Sequence, residues 1–119
     1  MNLVQKGVMF MLTWDLWVDD VREPPNEYYW LHLCTVKDVI HLFEVELAGN
    51  MNMIDIISLD HDAGEYANEG GDYIKILDWL EEHWPDCSHV FHIHSMNPVG
   101  VQNMKQIIDR NGWAYIETL

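Results

Sequence analysis

The order of apolar and polar residues along the chain predicts strands that alternate with helices. Short runs that alternate, or that are continuously apolar and rich in β-branched residues, are typical of strands. Apolar residues spaced three and four apart are typical of helices. Five runs predict strands, at residues 13–19, 29–34, 53–60, 89–95 and 113–119. Three further runs predict helices, which begin at Thr35, Asp72 and Val99 and stop before Gly49, Pro85 and Gly112.

This element order predicts a single α/β domain over residues 1–119, with residues 1–13 as an N-terminal extension. Strands that alternate with helices form a parallel sheet covered on both faces. For five strands we expect the receiver-like or flavodoxin-like doubly wound order 2-1-3-4-5. The connection between the first two strands contains Pro24 and Pro25 and is shorter than a normal crossover. Its helix, the first of the fold, should therefore be degraded or missing.

Polar residues follow three of the predicted strands. In the expected order the first, third and fourth strands are neighbours, and ligands bind at the carboxyl ends of strands where the strand order reverses. The polar side chains should therefore converge on one site. They are Asp19 and Asp20 after the first strand, Asp60, His61 and Asp62 after the third, and His94, Ser95 and Asn97 at and after the end of the fourth.

Asp19, Asp20 and Asp60 are the predicted metal ligands. Neighbouring carboxylates repel each other and tend to bind a cation or share a proton. Carboxylate oxygens suit a hard divalent cation, so we expect Mg²⁺ or Mn²⁺, and the nearby histidines favour Mn²⁺. A structural alternative exists for Asp60, because an aspartate at the end of a strand can also cap a turn.

The histidines supply the predicted acid–base chemistry. His92 and His94 are two residues apart on a strand, so their side chains point to the same face. His94 lies nearer the carboxyl end and is expected to act as a general acid or base, or to bind phosphate. His92 is equally well interpreted as a substrate-binding residue or as a core histidine bonded to a backbone carbonyl. His61 and Asp62 are further catalytic candidates, although His61 could project away from the site.

Ser95, Asn97 and Arg22 are predicted to bind substrate. Ser95 is expected to donate a hydrogen bond to phosphate, because a nucleophilic serine needs an activating base. Asn97 precedes a helix and is either its cap or an amide that orients phosphate at the helix start. Arg22 is either an ion-pair partner of the acidic residues or a bidentate phosphate ligand.

The charge balance excludes several kinds of partner. The chain has 20 acidic and 6 basic residues, a formal charge of −14. A field of that sign repels duplex DNA and anionic lipid, and no stretch is long and apolar enough to cross a membrane. Solubility explains most of the acids, and binding of a cation or of a basic protein partner is the alternative. No secretory signal is recognised, so we expect a cytoplasmic protein.

Four motifs in order resemble the family of cyclic-phosphate processing receiver-like domains. They are Leu16-Trp-Val-Asp-Asp-Val-Arg-Glu-Pro-Pro25, Ile57-Ser-Leu-Asp-His-Asp-Ala-Gly64, Asp72-Tyr-Ile-x-x-Leu-x-Trp-Leu-Glu-Glu82 and His92-Ile-His-Ser-Met-Asn-Pro-Val-Gly100. The resemblance extends over roughly residues 14–110. It implies the processing of cyclic phosphates such as cyclic nucleotides or RNA cyclic-phosphate ends.

The resemblance also implies roles for individual residues. Asp19, Asp20, Asp60 and Asp62 would be metal or acid–base carboxylates, and the pocket would be completed by His61, His92, His94, Ser95 and Asn97. The acidic residues look like the phosphoryl-accepting pocket of response-regulator receivers as well. Ordinary receivers place a lysine at the end of the fifth strand, and residues 113–119 contain none. This difference puts phosphorelay signalling in doubt.

Three functions therefore stay open. The leading hypothesis is a metal-assisted phosphoesterase in which the cation neutralises a cyclic phosphodiester and activates water, and His94 transfers a proton. The second is a non-catalytic receiver-like module that binds a cyclic nucleotide or a protein partner. The third is a phospho-accepting receiver.

Overall fold

The structure, a computed structural model, describes residues 13–25, 30–47 and 53–119. Its sheet has five strands, and all neighbouring strands are parallel in the order β2-β1-β3-β4-β5. The strands are β1 (Trp14–Val18), β2 (Trp30–Leu33), β3 (Ile54–Leu59), β4 (Val90–Ile93) and β5 (Ala114–Tyr115). The predicted receiver-like and flavodoxin-like strand order is thereby confirmed.

Three helices connect the strands, as predicted. They are α1 (Val36–His41), which continues as a π-helical segment (Leu42–Glu46), α2 (Ile74–His83) and α3 (Pro98–Arg110). The side chain of Thr35 caps α1 by accepting a hydrogen bond from the backbone of Asp38. Asp72 does not cap α2, because its carboxylate accepts a hydrogen bond from the backbone of Ala63 instead. The predicted stop at Gly49 lies outside the described residues.

The described helices lie on one face of the sheet. Right-handed connections from β2 to β3, from β3 to β4 and from β4 to β5 all advance in the same direction across the sheet, so they place their helices on the same side. In agreement, α1 packs against α2 and α2 against α3. The hydrophobic core lies between these helices and the sheet, and it includes Leu16, Ile57 and Phe91, which are in register on adjacent strands.

The second face was also expected to carry a helix, and no described residue supplies one. The connection from β1 to β2 runs in the opposite direction and would place its helix on that face. Its described part, residues 19–25, contains no helix. This agrees with the prediction that the first helix is degraded or missing. The predicted extension falls almost entirely on residues 1–12, which lie outside the described residues.

The last strand is shorter than predicted. A strand over 113–119 was expected, but β5 pairs with β4 only through Ala114 and Tyr115. Beyond this point the side chain of Lys105 on α3 contacts Glu117 at 3.4 Å and lies over the Tyr115 ring, so the chain is held by α3. None of the described helices has the length and apolar character needed to cross a membrane.

Candidate functional site

The site is built on the sheet face opposite the helices. Trp17, Ser58 and His92 lie side by side across β1, β3 and β4. Because side chains alternate along a strand, the residues two positions further on point to the same side. These residues are Asp19, Asp60 and His94, which lie where the three strands end. The predicted convergence of polar strand ends is therefore found.

Three carboxylates meet at this edge of the sheet. Asp19, Asp20 and Asp60 each offer an oxygen within 4.8 Å of the oxygens of the other two. Asp19 is fully buried, Asp60 is nearly so, and Asp20 is half-buried. A set of three oxygen donors in such a position has the composition that hard divalent cations prefer.

Asp19 is the most tightly held of the three. Burial works to raise the pKa of Asp19, but hydrogen bonds outweigh this effect, and the pKa is lowered. The backbone N–H groups of Val21 and Arg22 donate to Oδ1 at 3.0 and 2.9 Å, and the imidazole of His94 faces Oδ2 at 2.9 Å. Asp19 is therefore an ionised carboxylate with a fixed orientation.

The pKa values of the other two carboxylates shift in the opposite direction. Burial, followed by the interaction with Asp19, raises the pKa of Asp20. Burial also raises the pKa of Asp60, and the charge of Asp19 adds to the effect. Gly64 has φ +58° and approaches Asp20 so closely that a Cβ would overlap the carboxylate. A glycine is thus required beside this group.

The loop after β4 reaches Asp60 through Ser95. The Ser95 hydroxyl lies near the Asp60 carboxylate and works to lower its pKa, and it accepts a hydrogen bond from the backbone of Asn97 at 3.0 Å. Asp60 also accepts a hydrogen bond from the backbone of His61 at 2.8 Å. Asn97 caps α3, because its Oδ1 accepts from the Gly100 N–H at 3.0 Å. The capping alternative for Asn97 is confirmed.

His94 is engaged on both ring nitrogens. Nε2 lies 2.9 Å from Asp19 Oδ2, and Nδ1 lies 2.8 Å from the Ser58 hydroxyl. The ring stacks on Trp17 with a centroid separation of 3.8 Å and an interplanar angle of 2°. Burial, opposed only in part by Asp19, lowers the pKa of His94 to about 4. A direct proton transfer from His94 to a substrate would require one of these hydrogen bonds to break.

His92 is buried behind Ser58. Its Nδ1 lies 2.8 Å from the Ser58 hydroxyl, and burial lowers its pKa. One partner is thus the serine side chain, and the backbone of Glu117 is another, in agreement with the core interpretation of a histidine bonded to a backbone carbonyl. We assign His92 no contact with substrate in the function proposed below.

Arg22 joins the ends of β1 and β4. Its Nη1 donates to the backbone oxygen of His94 at 3.1 Å, and its Nε lies 3.7 Å from Asp19. The Trp17 indole N–H donates to the backbone oxygen of Arg22 at 2.8 Å. The ion-pair alternative for Arg22 is found, and nearly half of its side chain stays exposed.

His61 and Asp62 form the accessible pair of the site. His61 Nδ1 lies 2.7 Å from an Asp62 oxygen, and the Asn97 amide lies 3.4 Å from the same oxygen. Asp62 is well exposed, and the His61 side chain keeps some exposure. The ring of His61 lies against Gly100 in the first turn of α3, where an added Cβ would come within 2.5 Å of it. His61 thus lies in a group with Asp62 and Asp72 that is separate from the group of Asp19, Asp20 and Asp60.

Two residues of the site were not predicted from the sequence. Ser58 falls within a run that predicts a strand, and Trp17 is interpreted from the sequence as a core residue in preference to a residue that stacks on a base. A signal for Ser58 exists, because it is the one polar residue inside the run Ile56-Ile-Ser-Leu59. No comparable signal distinguishes Trp17, since an aromatic residue on a central strand is most often part of a core.

A groove in the described part of the chain lies away from the three carboxylates. It has a volume of about 610 Å³ and lies between α1 and α2, where Val36 and Trp79 contribute to its walls. Its lining includes none of the predicted site residues. We therefore place the functional site at the carboxylates, where the titratable groups converge.

Comparison with known proteins identifies a family. The profile of the cyclic-phosphate processing receiver domain matches residues 14–110, which is most of the chain. No curated protein and no solved structure is significantly similar to the chain. The match includes all three strands that carry the carboxylates and histidines, as well as the helix that Asn97 caps. This chain belongs to the family of cyclic-phosphate processing receiver domains.

Proposed function

We propose that the protein is a metal-assisted phosphoesterase that acts on a cyclic phosphate. The convergence of Asp19, Asp20 and Asp60 at the edge where the strand order reverses is the observation that carries the proposal. Membership of a family described by cyclic-phosphate processing supports the substrate class. Cyclic nucleotides and RNA cyclic-phosphate ends are the two forms of this substrate.

The carboxylates fit a divalent cation such as Mg²⁺ or Mn²⁺. The donors are oxygens, and the pKa values of Asp20 and Asp60 are raised by burial and by their charged neighbour, a crowding that a cation would relieve. The approach of Gly64 to Asp20 leaves the carboxylate no freedom to turn toward the loop. When bound, the cation would supply charge neutralisation of the phosphodiester and a lowered pKa of a coordinated water.

We assign the proton transfer to His61, because it follows Asp60 directly in the chain and Asp62 orients its ring. Asp62 holds its Nδ1, so the opposite nitrogen, Nε2, is directed away from that carboxylate. In the proposed hydrolysis His61 accepts a proton from the attacking water and returns it to the leaving oxygen. His94, which lies between Asp19 and Ser58, acts by holding Asp19 in place.

The phosphate would be bound by Arg22 and by the start of α3. The partly exposed guanidinium of Arg22 can donate to phosphate oxygens without losing its contact to His94. The N-terminus of α3, capped by Asn97, presents a favourable partial charge for an anion. The Ser95 hydroxyl, held near Asp60, is a further donor.

The test is a titration of Mn²⁺ and of Mg²⁺ into the purified protein, with 2′,3′- and 3′,5′-cyclic nucleotides assayed for hydrolysis in the same samples. We expect metal-dependent opening of one cyclic class. Asp60→Asn should abolish it, because the amide cannot replace a ligand charge. Asp15→Asn, a matched change at the other end of β1, should leave the rate unchanged. Equal rates for wild type and Asp60→Asn would reject the assignment.

A second candidate function is the capture of a cyclic phosphate without turnover. It is favoured by one observation, namely that both nitrogens of His94 are occupied inside the protein. In that case the nucleotide should bind with a measurable heat in the presence of chelator, and no hydrolysis should follow with either metal. Turnover that depends on metal and on His61 would exclude the capture module.

A further inference from the structure

We infer that the substrate of this site is a small, singly charged cyclic phosphate of the cyclic mononucleotide kind, and that the charges around the carboxylates select it against RNA ends. The inference rests on the proposed function, because it chooses between the two substrate forms of that function. It is carried by the positions of the described basic residues and of the carboxylates that border the site.

Six carboxylates lie at the proposed site or beside it. Five of them belong to the two groups of metal-capable side chains at this edge of the sheet: Asp19, Asp20, Asp60, Asp62 and Asp72. The sixth is the exposed carboxylate of Glu23, which lies 3.8 Å from the ring of His32, and another nitrogen of that ring contacts the backbone oxygen of Asp19. Arg22 adds one positive charge to this region. With a divalent cation bound, three positive charges would therefore face six carboxylates.

The other described basic side chains lie elsewhere and have acidic neighbours. Two of them, on α3 and at its end, contact carboxylates at 2.7 and 3.4 Å: Arg110 with Glu81, and Lys105 with Glu117. Lys37 and Lys75 line the groove between α1 and α2 together with four carboxylates: Glu44, Glu69, Asp78 and Glu82. In the part of the chain that the structure describes, no row of basic side chains leads away from Arg22.

A strand of RNA needs features that this surface lacks in its described part. Proteins that bind single strands contact successive phosphates with Lys and Arg and stack the bases on aromatic side chains. The described loops at the carboxyl edge of the sheet carry one exposed aromatic residue, Tyr66. Salt screens a charge only over about 8 Å at physiological ionic strength, so the next phosphate of an RNA end stays within the field of the carboxylates.

The number of phosphates therefore decides between the two substrate forms. A cyclic mononucleotide brings one negative charge, which the cation and Arg22 can bind. Each further nucleotide of an RNA end adds a negative charge that is repelled and gains no contact with a described basic residue. An excess of three negative charges about one Debye length from the second phosphate corresponds to roughly a threefold loss of affinity.

The test compares a 2′,3′-cyclic mononucleotide with a dinucleotide, a tetranucleotide and an octanucleotide that end in the same base and cyclic phosphate. Each is titrated into the full chain in the presence of Mn²⁺. Calorimetry measures the affinity, and kcat/KM replaces it for any probe that is opened. We expect the mononucleotide to be preferred over the dinucleotide by about threefold at physiological ionic strength, and by more at low salt, where screening is weaker.

Glu23→Lys tests whether the local carboxylates cause this preference. It replaces an exposed negative charge beside the site with a positive one, so the preference for the mononucleotide should fall below about twofold. Glu82→Lys is the matched control, because it changes the net charge equally. Glu82 is exposed near the end of α2, at the opposite edge of the sheet, and its substitution should leave the preference unchanged.

Two results would overturn the inference. The first is an RNA end that binds more tightly than the mononucleotide and loses affinity as salt rises, since that dependence requires phosphate contacts. The second is an equal response of the preference to both variants, which would assign it to the net charge of the chain. Binding of a 3′,5′-cyclic nucleotide alone would support the inference, because that ring does not form at an RNA end.

Failure of the proposed function has a different signature. Every probe then stays unopened, while the affinities still fall with length and the two variants still differ, so the preference for a single phosphate is measured without turnover. If none of the probes binds, and no 3′,5′-cyclic nucleotide binds either, both the proposed function and this inference are rejected.

Discussion

The two ends of the sheet contain the same kinds of residue and use them differently. At the amino end Asp15 and His89 bond the backbone of β3, since Asp15 Oδ1 accepts from the Ile56 N–H at 3.1 Å and His89 Nδ1 donates to the Ile54 oxygen at 2.8 Å. At the carboxyl end an aspartate and a histidine bond each other, and two more carboxylates lie beside them.

The pKa values alone do not separate the two ends. Burial raises the pKa of Asp15 and lowers that of His89, as it raises that of Asp60 and lowers that of His94. At the amino end Asp15 and His89 each bond a backbone group, and the Nε2 of His89 has no hydrogen-bond partner among the described residues. The register between β1 and β3 shifts between Trp14 and Leu16, where β3 has one residue more than β1, and this irregularity explains why the Ile56 N–H needs a side chain. The comparison teaches that convergence of side chains on each other, rather than perturbed titration, marks a functional site.

The largest expected effect comes from matched substitutions at the two ends. Asp19→Asn removes a ligand charge and places an amide against the His94 N–H. We expect a loss of more than about 100-fold in Mn²⁺ affinity, beyond the range for an outer-shell partner. Asp15→Asn keeps the acceptor for the Ile56 N–H and should bind Mn²⁺ like the wild type. Calorimetric titration measures the Mn²⁺ affinity of both variants. Similar affinities would contradict the assignment of the metal site to the carboxyl end of the sheet.

Acid should destabilise the folded protein through the buried histidines at both ends of the sheet. Unlike the metal affinity, this pH effect is not expected to distinguish the two ends. An unfolded histidine titrates near pH 6.5, whereas the pKa of His94 in the native protein is about 4. Between these values the unfolded chain binds a proton that the native chain does not, so the free energy of unfolding falls as pH falls. His94 alone should account for about 2 kcal/mol between pH 7 and pH 5.

The histidines and the aspartates act in opposite directions on this pH dependence. His89 and His92 also have lowered pKa values and add to the loss. The raised pKa values of Asp20 and Asp60 oppose it, because these carboxyls bind protons in the native state first. The free energy of unfolding of the metal-free protein can be measured by urea denaturation at both pH values. We expect it to change less with pH in His94→Gln than in the wild type. A wild-type stability that rises toward pH 5 would contradict the buried, neutral state of His94.

A smaller effect is expected from Gly100→Ala. The new Cβ would lie 2.5 Å from the His61 ring and should displace the ring from its contact with Asp62. Turnover should fall by about tenfold or more, since a general acid or base contributes about 10²- to 10⁴-fold. Asn103→Ala, on an exposed position of the same helix, controls for helix propensity. If the two variants turn over equally, His61 is not the proton carrier.

The sequence was sufficient for the strand order and for the meeting of the carboxylates. Both follow from alternation and from the direction of connections, which fix which strand ends are neighbours. The short β5 was not predictable, because the run from Trp113 to Leu119 is as apolar as a longer strand. Its length is set by the contacts of Lys105 with Tyr115 and Glu117, which belong to the tertiary structure.

The hydrogen-bond partners within the site could not be predicted from the sequence for a similar reason. Alternation predicts that His92 and His94 share a face, and the structure agrees. Which atoms bond is decided by the neighbouring strand, where register brings Ser58 opposite His92. Registers of one residue more or less would turn Ser58 to the other face. A pattern within one strand does not contain that information.

The two-residue β5 also bears on how copies of the molecule meet. An unpaired strand edge is a template on which another chain can extend the sheet, and proteins blunt such edges by shortening them. Here β5 pairs over only Ala114 and Tyr115, and charged side chains of Lys105 and Glu117 lie beside it. With a formal charge of −14, each copy also repels its neighbours at low ionic strength. Edge-to-edge polymerisation along β5 is thus discouraged twice, by geometry and by charge.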